Sequence, residues 1–360
     1  MVNNFRERYI IVNARFLTQP ITGVQRFAIE ICRLLKDIIP NIYFVAPPGI
    51  QHHDLATEFQ VKIIGKLSSH FWEQLELPLY LNKIGKPLLV NLCNTAPVYY
   101  TNKIVCIHDM ASFINPHWFS KSFAAVYKIL IPKVVKSSRK IITVSNFSKA
   151  TIHSILQIPE KDIEVIYNAV SKSLVGNNTV ISGNKYGRYI LAVSSIEPRK
   201  NLKNLIDGFK QAKLTGIKMV IVGAGSKVFN DPGIETLVQN SEDIVFTGYL
   251  PDADLGQVYS NALMFVYPSL YEGFGIPPLE AMHCGCPTIV SNTSSLPEVC
   301  ADASLYIDPL RPNEIAKAIK LLAKNEELRK KLILKGLART QYFSWKKSAD
   351  KLASIINTLK

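Results

Sequence analysis

The stretch VYPSLYEGFGIPPLEAMHCGCPTIVS, residues 266–291, decides the fold. An apolar run ends at Pro268, a glycine-containing loop follows, a helix begins near Pro277 and Pro278, and a second β-branched run starts at Cys286. Proline suits the first turn of a helix and Gly285 suits the position just past its end. Strand, helix and strand in such close order read as one unit of a parallel sheet covered by helices. Gly273 and Gly275 permit a tight backbone path whose amides can face an anion at the positive end of that helix. Glu272 and Glu280 flank the path; carboxylates there cannot bind phosphate, but they suit hydrogen bonds from sugar hydroxyls. The plain alternative is a loop glutamate in solvent and a helix glutamate favoured by the dipole.

The same alternation runs outward in both directions. Upstream, strand candidates are 9–14, 42–46, 88–91, 104–109, 140–145 and 163–168, with helical patterns between them, including 24–38 and 123–138. A polar segment with Gly and Asn, 171–187, breaks the pattern and reads as a linker. The alternation then restarts at 189–194, 218–223, 244–248, 264–269, 286–291 and 304–308. The expectation is α/β: two doubly wound, Rossmann-like domains, 1–170 and 188–343, facing a central cleft. Trp345, Ala349, Leu352, Ile356 and Leu359 form one helical stripe in 344–360, which needs a surface to cover and is expected to pack back on the first domain. In such sheets ligands bind beyond the carboxyl ends of the strands.

Composition agrees with two ordinary cores: 360 residues, 48% hydrophobic and 19% charged. No apolar run approaches a bilayer-spanning length, and the run after Arg6 and Arg8 is too short for a signal peptide, so a cytoplasmic chain is expected. The six cysteines lack a metal-like spacing and read as small buried hydrophobes. A net charge of +14 implies anionic partners. The basic residues lack aromatic interleaving, which argues against nucleic acid. From Met110 to Pro159 there is no acid, while Lys121, Lys128, Lys133, Lys136, Arg139, Lys140 and Lys149 fall inside. Beside apolar Phe123, Val126, Tyr127, Ile129, Leu130 and Ile131, this suggests peripheral contact with the inner face of an anionic membrane, or else a core helix with a solvated basic face.

Three further places carry chemistry. Arg199 and Lys200, in SSIEPRKNLKNLIDGF (194–209), sit where a helix is about to start and could clamp a diphosphate, or be an exposed basic pair. His108 and Asp109 close the strand 104–109, as site residues or as a bonded histidine with a capping acid. Gly23 opens a helix after the first strand, where close approach to a phosphate or sugar needs a residue without a side chain. Two matches are set aside. VGAGSKV (222–228) has Val228 in place of the third glycine of a dinucleotide fingerprint. Asp252 and Asp254 imitate a metal-holding pair but precede a helical pattern, where N-capping explains them.

Together these segments resemble the retaining GT-B enzymes of glycosyltransferase family 4, in the bacterial polysaccharide branch rich in mannosyl- and rhamnosyltransferases. TGVQRFA, FWEQLELP (71–78), CNTAP (93–97), ITVSNFSK (142–149), VIYNAV (165–170), EPRKN, FTGYLPD (246–252), YEGFGIPPLEAM, SSLPEV (294–299) and FSW (343–345) occur in the family's order. The resemblance implies that Glu272 binds hydroxyls of the donor sugar and Glu280 the ribose of its nucleotide. Phe274, Gly275 and Ile276 would offer amides to the diphosphate, which Arg199 and Lys200 would neutralise. His108 would lie against the donor sugar, and Gly23 would line the cleft. Ser194 stands where many relatives carry another arginine. The implied reaction moves a hexose, with retention and without metal or cofactor, from a nucleotide-sugar (GDP-mannose first, then dTDP-rhamnose and UDP-sugars) to a saccharide or lipid-linked saccharide acceptor. An epimerase of the same fold and a non-catalytic sugar-binding subunit are the competing readings.

Overall fold

The computed structural model describes residues 9–171, 174, 185–195, 197–223 and 241–359. Most of the expected linker 171–187, and the fingerprint-like residues beyond Gly223, lie outside the described residues. The chain divides into two compact units, Met1–Asn168 with Ser344–Lys360, and Ala169–Phe343.

In the first unit, β1 (Ile10–Asn13), β2 (Ile42–Ala46), β3 (Lys62–Ile63), β4 (Leu88–Asn91), β5 (Lys103–Cys106), β6 (Lys140–Thr143) and β7 (Ile163–Val165) form one sheet in the order β3-β2-β1-β4-β5-β6-β7. All its pairings are parallel, with Ile10 set between Ile42 and Leu88. Strands β1, β4 and β5 are buried throughout, and their runs are apolar except for Asn13, Asn91 and Lys103. Helix Gly23–Ile38 buries Phe27, Ala28, Ile31, Cys32 and Leu35 at helical spacing, and its start is fixed by Gln25, which accepts from the Thr22 amide at 3.1 Å. Against it lies helix Trp345–Leu359. The Trp345 ring meets Phe27 edge-on at 6.0 Å, Ser348 Oγ donates to the Tyr167 carbonyl at 2.7 Å, and Lys351 pairs with Glu164 at 3.3 Å. Of the expected stripe it buries Trp345, Ala349, Leu352 and Ile356, together with Ser348 and Ala353, while Leu359 at its end is half-buried.

The second unit repeats the plan with β8 (Tyr189–Val193), β9 (Lys218–Val222), β10 (Ile244–Gly248), β11 (Met264–Tyr267), β12 (Thr288–Ser291) and β13 (Ser304–Ile307), again all parallel, in the order β10-β9-β8-β11-β12-β13. Its core gathers Ile190, Ile206, Met219, Ile221, Met264, Val266, Ile289 and Ile315.

The strand order reverses once in each sheet, between β1 and β4 and between β8 and β11. At a reversal the two flanking connections leave in opposite directions and open a crevice beyond the strands' carboxyl ends, where ligands bind in folds of this kind. Two details differ from the sequence reading. His108 and Asp109 lie beyond β5, which ends at Cys106. Asp252 and Asp254 are first-turn residues of helix Asp252–Ser260, whose N-cap is Pro251, so the helix dipole rather than capping favours them.

Candidate functional site

The second unit's reversal carries a dense polar cluster. After β8 a 3-10 turn, Pro198–Lys200, precedes helix Leu202–Ala212. Asn201 joins turn to helix in a left-handed conformation (φ 59°), and its side-chain amide donates to the carbonyls of Pro268 (3.0 Å) and Pro309 (2.6 Å). The Leu270 amide donates to the Arg199 carbonyl at 2.7 Å, which locks this turn onto the loop after β11.

Glu272 lies at the centre and is buried. Its Oε1 accepts from Lys200 Nζ (2.7 Å), Tyr267 OH (2.8 Å) and Ser269 Oγ (2.6 Å), and its Oε2 from Arg199 Nη1 (3.3 Å). Burial would raise its pKa, but Lys200 and then Arg199 overcome that and hold it down to about 2. Burial lowers the Lys200 pKa, which Glu272 opposes. Arg199 Nε also donates to Glu197 Oε2 at 2.6 Å. Two cations thus face two carboxylates, and Arg199 and Lys200 are neither exposed nor spare, as a simple basic pair would be. Ser194 is buried and turns its hydroxyl to the Ser195 carbonyl at 2.7 Å, so no cation enters from that position.

The loop itself is held from behind. Gly275 N-caps helix Ile276–His283 at φ 100°, and a Cβ there would fall 2.6 Å from Leu296 Cδ2. The conformation therefore demands glycine, and a side chain would in addition displace the end of Leu296. Ser295 Oγ reaches the carbonyls of Glu272 (2.9 Å) and Phe274 (2.8 Å), and the Glu272 amide donates to Ser294 Oγ at 3.1 Å. The Phe274 side chain belongs to the core, edge-on to Phe343 at 5.3 Å, so only its backbone can serve a ligand. Pro277 and Pro278 bring no N–H to the helix start, which leaves Ile276 as its first amide donor. Glu280, one turn on, is buried and accepts from Tyr259 OH at 3.1 Å. Gly285, at φ 69°, follows the helix end as the sequence indicates.

In the first unit, His108 is buried with its ring edge-on to Phe27 at 5.0 Å. Its Nε2 lies 2.8 Å from the Leu92 carbonyl, which can only accept, so Nε2 carries the proton. Burial lowers its pKa more than that bond and Asp109 raise it, which leaves a neutral ring with its acceptor at Nδ1. Asp109 Oδ1 accepts from the Ala111 amide at 2.9 Å, a local turn contact. Gly23 is the exposed first residue of its helix.

A second cluster escaped the sequence reading. At the β1/β4 reversal Arg15, Glu73, Asn13, Asn91 and Thr95 are all buried. Glu73 Oε1 accepts from Asn13 Nδ2 (2.8 Å) and Arg15 Nε (3.3 Å), and Arg15 Nη2 donates to Thr95 Oγ1 at 2.7 Å. Burial would raise the Glu73 pKa, but Arg15 and His70 bring it below the ordinary value. The one available signal was the FWEQLELP segment, in which Glu73 directly follows Phe71 and Trp72.

Among the described residues no group of three or more His, Cys, Asp or Glu could hold a metal ion, and no helix is long and apolar enough to cross a membrane.

The family described as Glycosyl transferases group 1 matches residues 178–339. The chain is 31% identical over 253 residues to O-antigen chain mannosyltransferase B of Escherichia coli, a match spanning 67% of this chain and 66% of that one. It is 27% identical over 329 residues to the O-antigen chain mannosyltransferase RfbU of Salmonella typhimurium, spanning 86% and 90%. The structure superposes on Anabaena HepE, solved with UDP and glucose, with a TM-score of 0.77 at 16% identity, over 97% of this chain and 99% of that one. With two parallel α/β units, a glycine loop backed by Glu272 and these relatives, the chain belongs to the GT-B glycosyltransferases of group 1.

Proposed function

We propose that the protein transfers mannose from GDP-mannose to a saccharide or lipid-linked saccharide in the assembly of a surface polysaccharide, with retention and without a metal. The Glu272–Lys200–Arg199 cluster at the β8/β11 reversal carries this reading. The names of the two mannosyltransferase relatives support the choice of sugar. An arriving diphosphate competes with Glu272 and Glu197 for Lys200 and Arg199, while the amides of Phe274, Gly275 and Ile276 meet it at the positive helix end. Glu272 then accepts from hydroxyls of the donor sugar, and Glu280 from the ribose. The bond between C1 and the diphosphate oxygen breaks with its electron pair going to phosphate. The acceptor oxygen bonds C1 from the same face, and its proton passes to the departing diphosphate. The cations stabilise charge that grows only as this happens, and removing one such donor typically costs about 100- to 1,000-fold in turnover. Neutral His108 offers Nδ1 to a sugar hydroxyl.

GDP release from GDP-mannose, beside dTDP-rhamnose and UDP-sugars, tests the donor, and product anomeric configuration by NMR tests retention. Lys200→Ala and Glu280→Ala are each expected to lower turnover by about two orders of magnitude while remaining folded. Wild-type kinetics from either folded variant would remove that residue from the site.

Peripheral membrane contact is part of the same proposal. Helix Lys121–Lys136 buries Ile131, Val134 and Val135, while Tyr127 and Leu130 pack partly against that core. Phe123, Val126 and Ile129 stand exposed at 37%, 48% and 62%, among exposed Lys121, Lys128 and Lys133. A basic residue near an anionic surface contributes about 1 kcal/mol. Sedimentation with anionic but not neutral vesicles, weakened by salt, is expected; equal recovery in both supernatants at low salt would end the idea.

A further inference from the structure

The two reversals are built alike: each holds a buried carboxylate clasped by a cation, Glu272 with Lys200 in one and Glu73 with Arg15 in the other. They differ in one respect. Both oxygens of Glu272 have donors, whereas Glu73 Oε2 is buried without a hydrogen-bond partner. It faces His70 Nδ1, itself buried and unpartnered, at 3.6 Å, which is too long for a hydrogen bond. Glu73 is only 1% exposed, and Arg15 keeps it ionised. A buried ionised oxygen without a donor is costly, and an apolar pair of similar volume would hold the fold at least as well. The carboxylate also sits in a π-helical stretch, Trp72–Glu76, a geometry that concentrates at functional sites.

We propose that Glu73 Oε2 and His70 Nδ1 form a hydroxyl-binding subsite for the acceptor saccharide. The hydroxyl donates to Oε2 and accepts from the N–H of the tautomer that carries its hydrogen on Nδ1, which gives both atoms a partner at once. Arg15 and Asn13 are positioning residues that fix the carboxylate through Oε1. The His70 side chain is 37% exposed, so the imidazole lies at the open end and yields as the sugar enters. A site with such a buried acceptor rejects a sugar lacking that hydroxyl, because the acceptor would stay unpaired. The inference rests on the glycosyl-transfer reading for the identity of its ligand, and on the first unit alone for its geometry.

The test is binding without donor. Octyl glycosides of α-mannose, α-rhamnose, α-galactose and N-acetylglucosamine are titrated by saturation-transfer NMR into wild type, Glu73→Gln and His70→Ala, with GDP affinity measured alongside. At least one glycoside is expected to saturate wild type and to bind both variants at least tenfold more weakly, with GDP affinity unchanged. The deoxy analogue at the recognised hydroxyl should bind wild type as weakly as the variants bind the parent sugar. Circular dichroism checks folding, and His70→Ala decides if Glu73→Gln does not fold. Wild-type glycoside affinity in a folded variant, or no saturation of wild type by any of the four, overturns the subsite. Failure to release GDP from GDP-mannose would instead count against the donor reading.

Discussion

Replacing Lys200 by methionine removes the nearest positive charge from Glu272 while roughly keeping side-chain volume. Burial alone would raise the Glu272 pKa; Lys200 and Arg199 bring it to about 2. An unfolded glutamate titrates near ~4.3, so the depression of roughly two units corresponds to about 3 kcal/mol. Because the folded value lies below the unfolded one, this stabilisation is complete above about pH 4.3 and is lost as pH falls toward 2. Lys200 and Glu272 have side chains only 11% and 9% exposed, so solvent screening takes little from the figure. In Lys200→Met the carboxylate keeps Tyr267 and Ser269 as neutral donors and Arg199 as a cation, which it shares with Glu197. The expected cost at pH 7 is about 3–5 kcal/mol, as for other broken buried pairs. In a unit of this size that lowers the midpoint by roughly 6–20 °C. Calorimetry identifies the second unit's transition as the one GDP raises. Glu272→Gln should cost a similar amount, and the double variant less than the sum, with coupling of at least about 2 kcal/mol. Additive single effects, or an unchanged acid limb between pH 2 and 5 in Lys200→Met, would refute the reasoning.

Gly275→Ala is expected to destabilise by roughly 1–3 kcal/mol, from its φ of 100° and the contact with Leu296, and to abolish nucleotide-sugar binding by calorimetric titration; a native affinity would show that the loop tolerates a side chain. Alkaline stability should fall steeply: burial pushes Cys93, Cys284 and Cys300 up to about 12 and Cys32, Cys106 and Cys286 well above the ordinary range. Folded values above unfolded ones mean stability complete below about pH 8.5 and then declining by up to about 1.4 kcal/mol per pH unit for each thiol. Lys103, buried and lowered to about 8, acts in the opposite sense and offsets one of them. Urea midpoints that stay level from pH 8 to 10 would contradict this. Turnover is expected to survive excess EDTA, since Asp252 and Asp254 are accounted for as first-turn helix acids; rescue by magnesium or manganese after its loss would reverse that view.

Both sheets were legible because strands buried on two faces cannot alternate, and runs such as Ile10–Asn13 and Met264–Tyr267 stand out against amphipathic helices. Strand β3 left no trace, for it is two exposed residues at an edge. Glu272, Lys200 and Arg199 were found because they lie beside glycine and proline signals that local geometry requires. Their contacts with one another were not, since nothing local tells that the three meet. Tyr267 and Ser269 read only as strand residues, and Ser294 and Ser295 only as part of a shared segment, yet all four hold Glu272 or its loop. The Arg15–Glu73 cluster was the least visible. Asn13, Glu73, Asn91 and Thr95 are single polar residues on separate elements, and only folding makes them neighbours.

Helix Trp345–Leu359 belongs to the first unit although the whole second unit is translated before it. A ribosome adding ~5–20 residues per second needs roughly 10–40 s between the two parts of that unit. Throughout that interval Phe27 and its neighbours on the Gly23–Ile38 helix await their cover. The second unit, whose residues are contiguous from Ala169 to Phe343, can close its own core before the earlier-made half is complete. The nascent chain therefore finishes in the reverse of its order of synthesis. A stop codon immediately before Trp345 would spare the second unit while leaving the first with a bare apolar face, a ready substrate for chaperones and proteases.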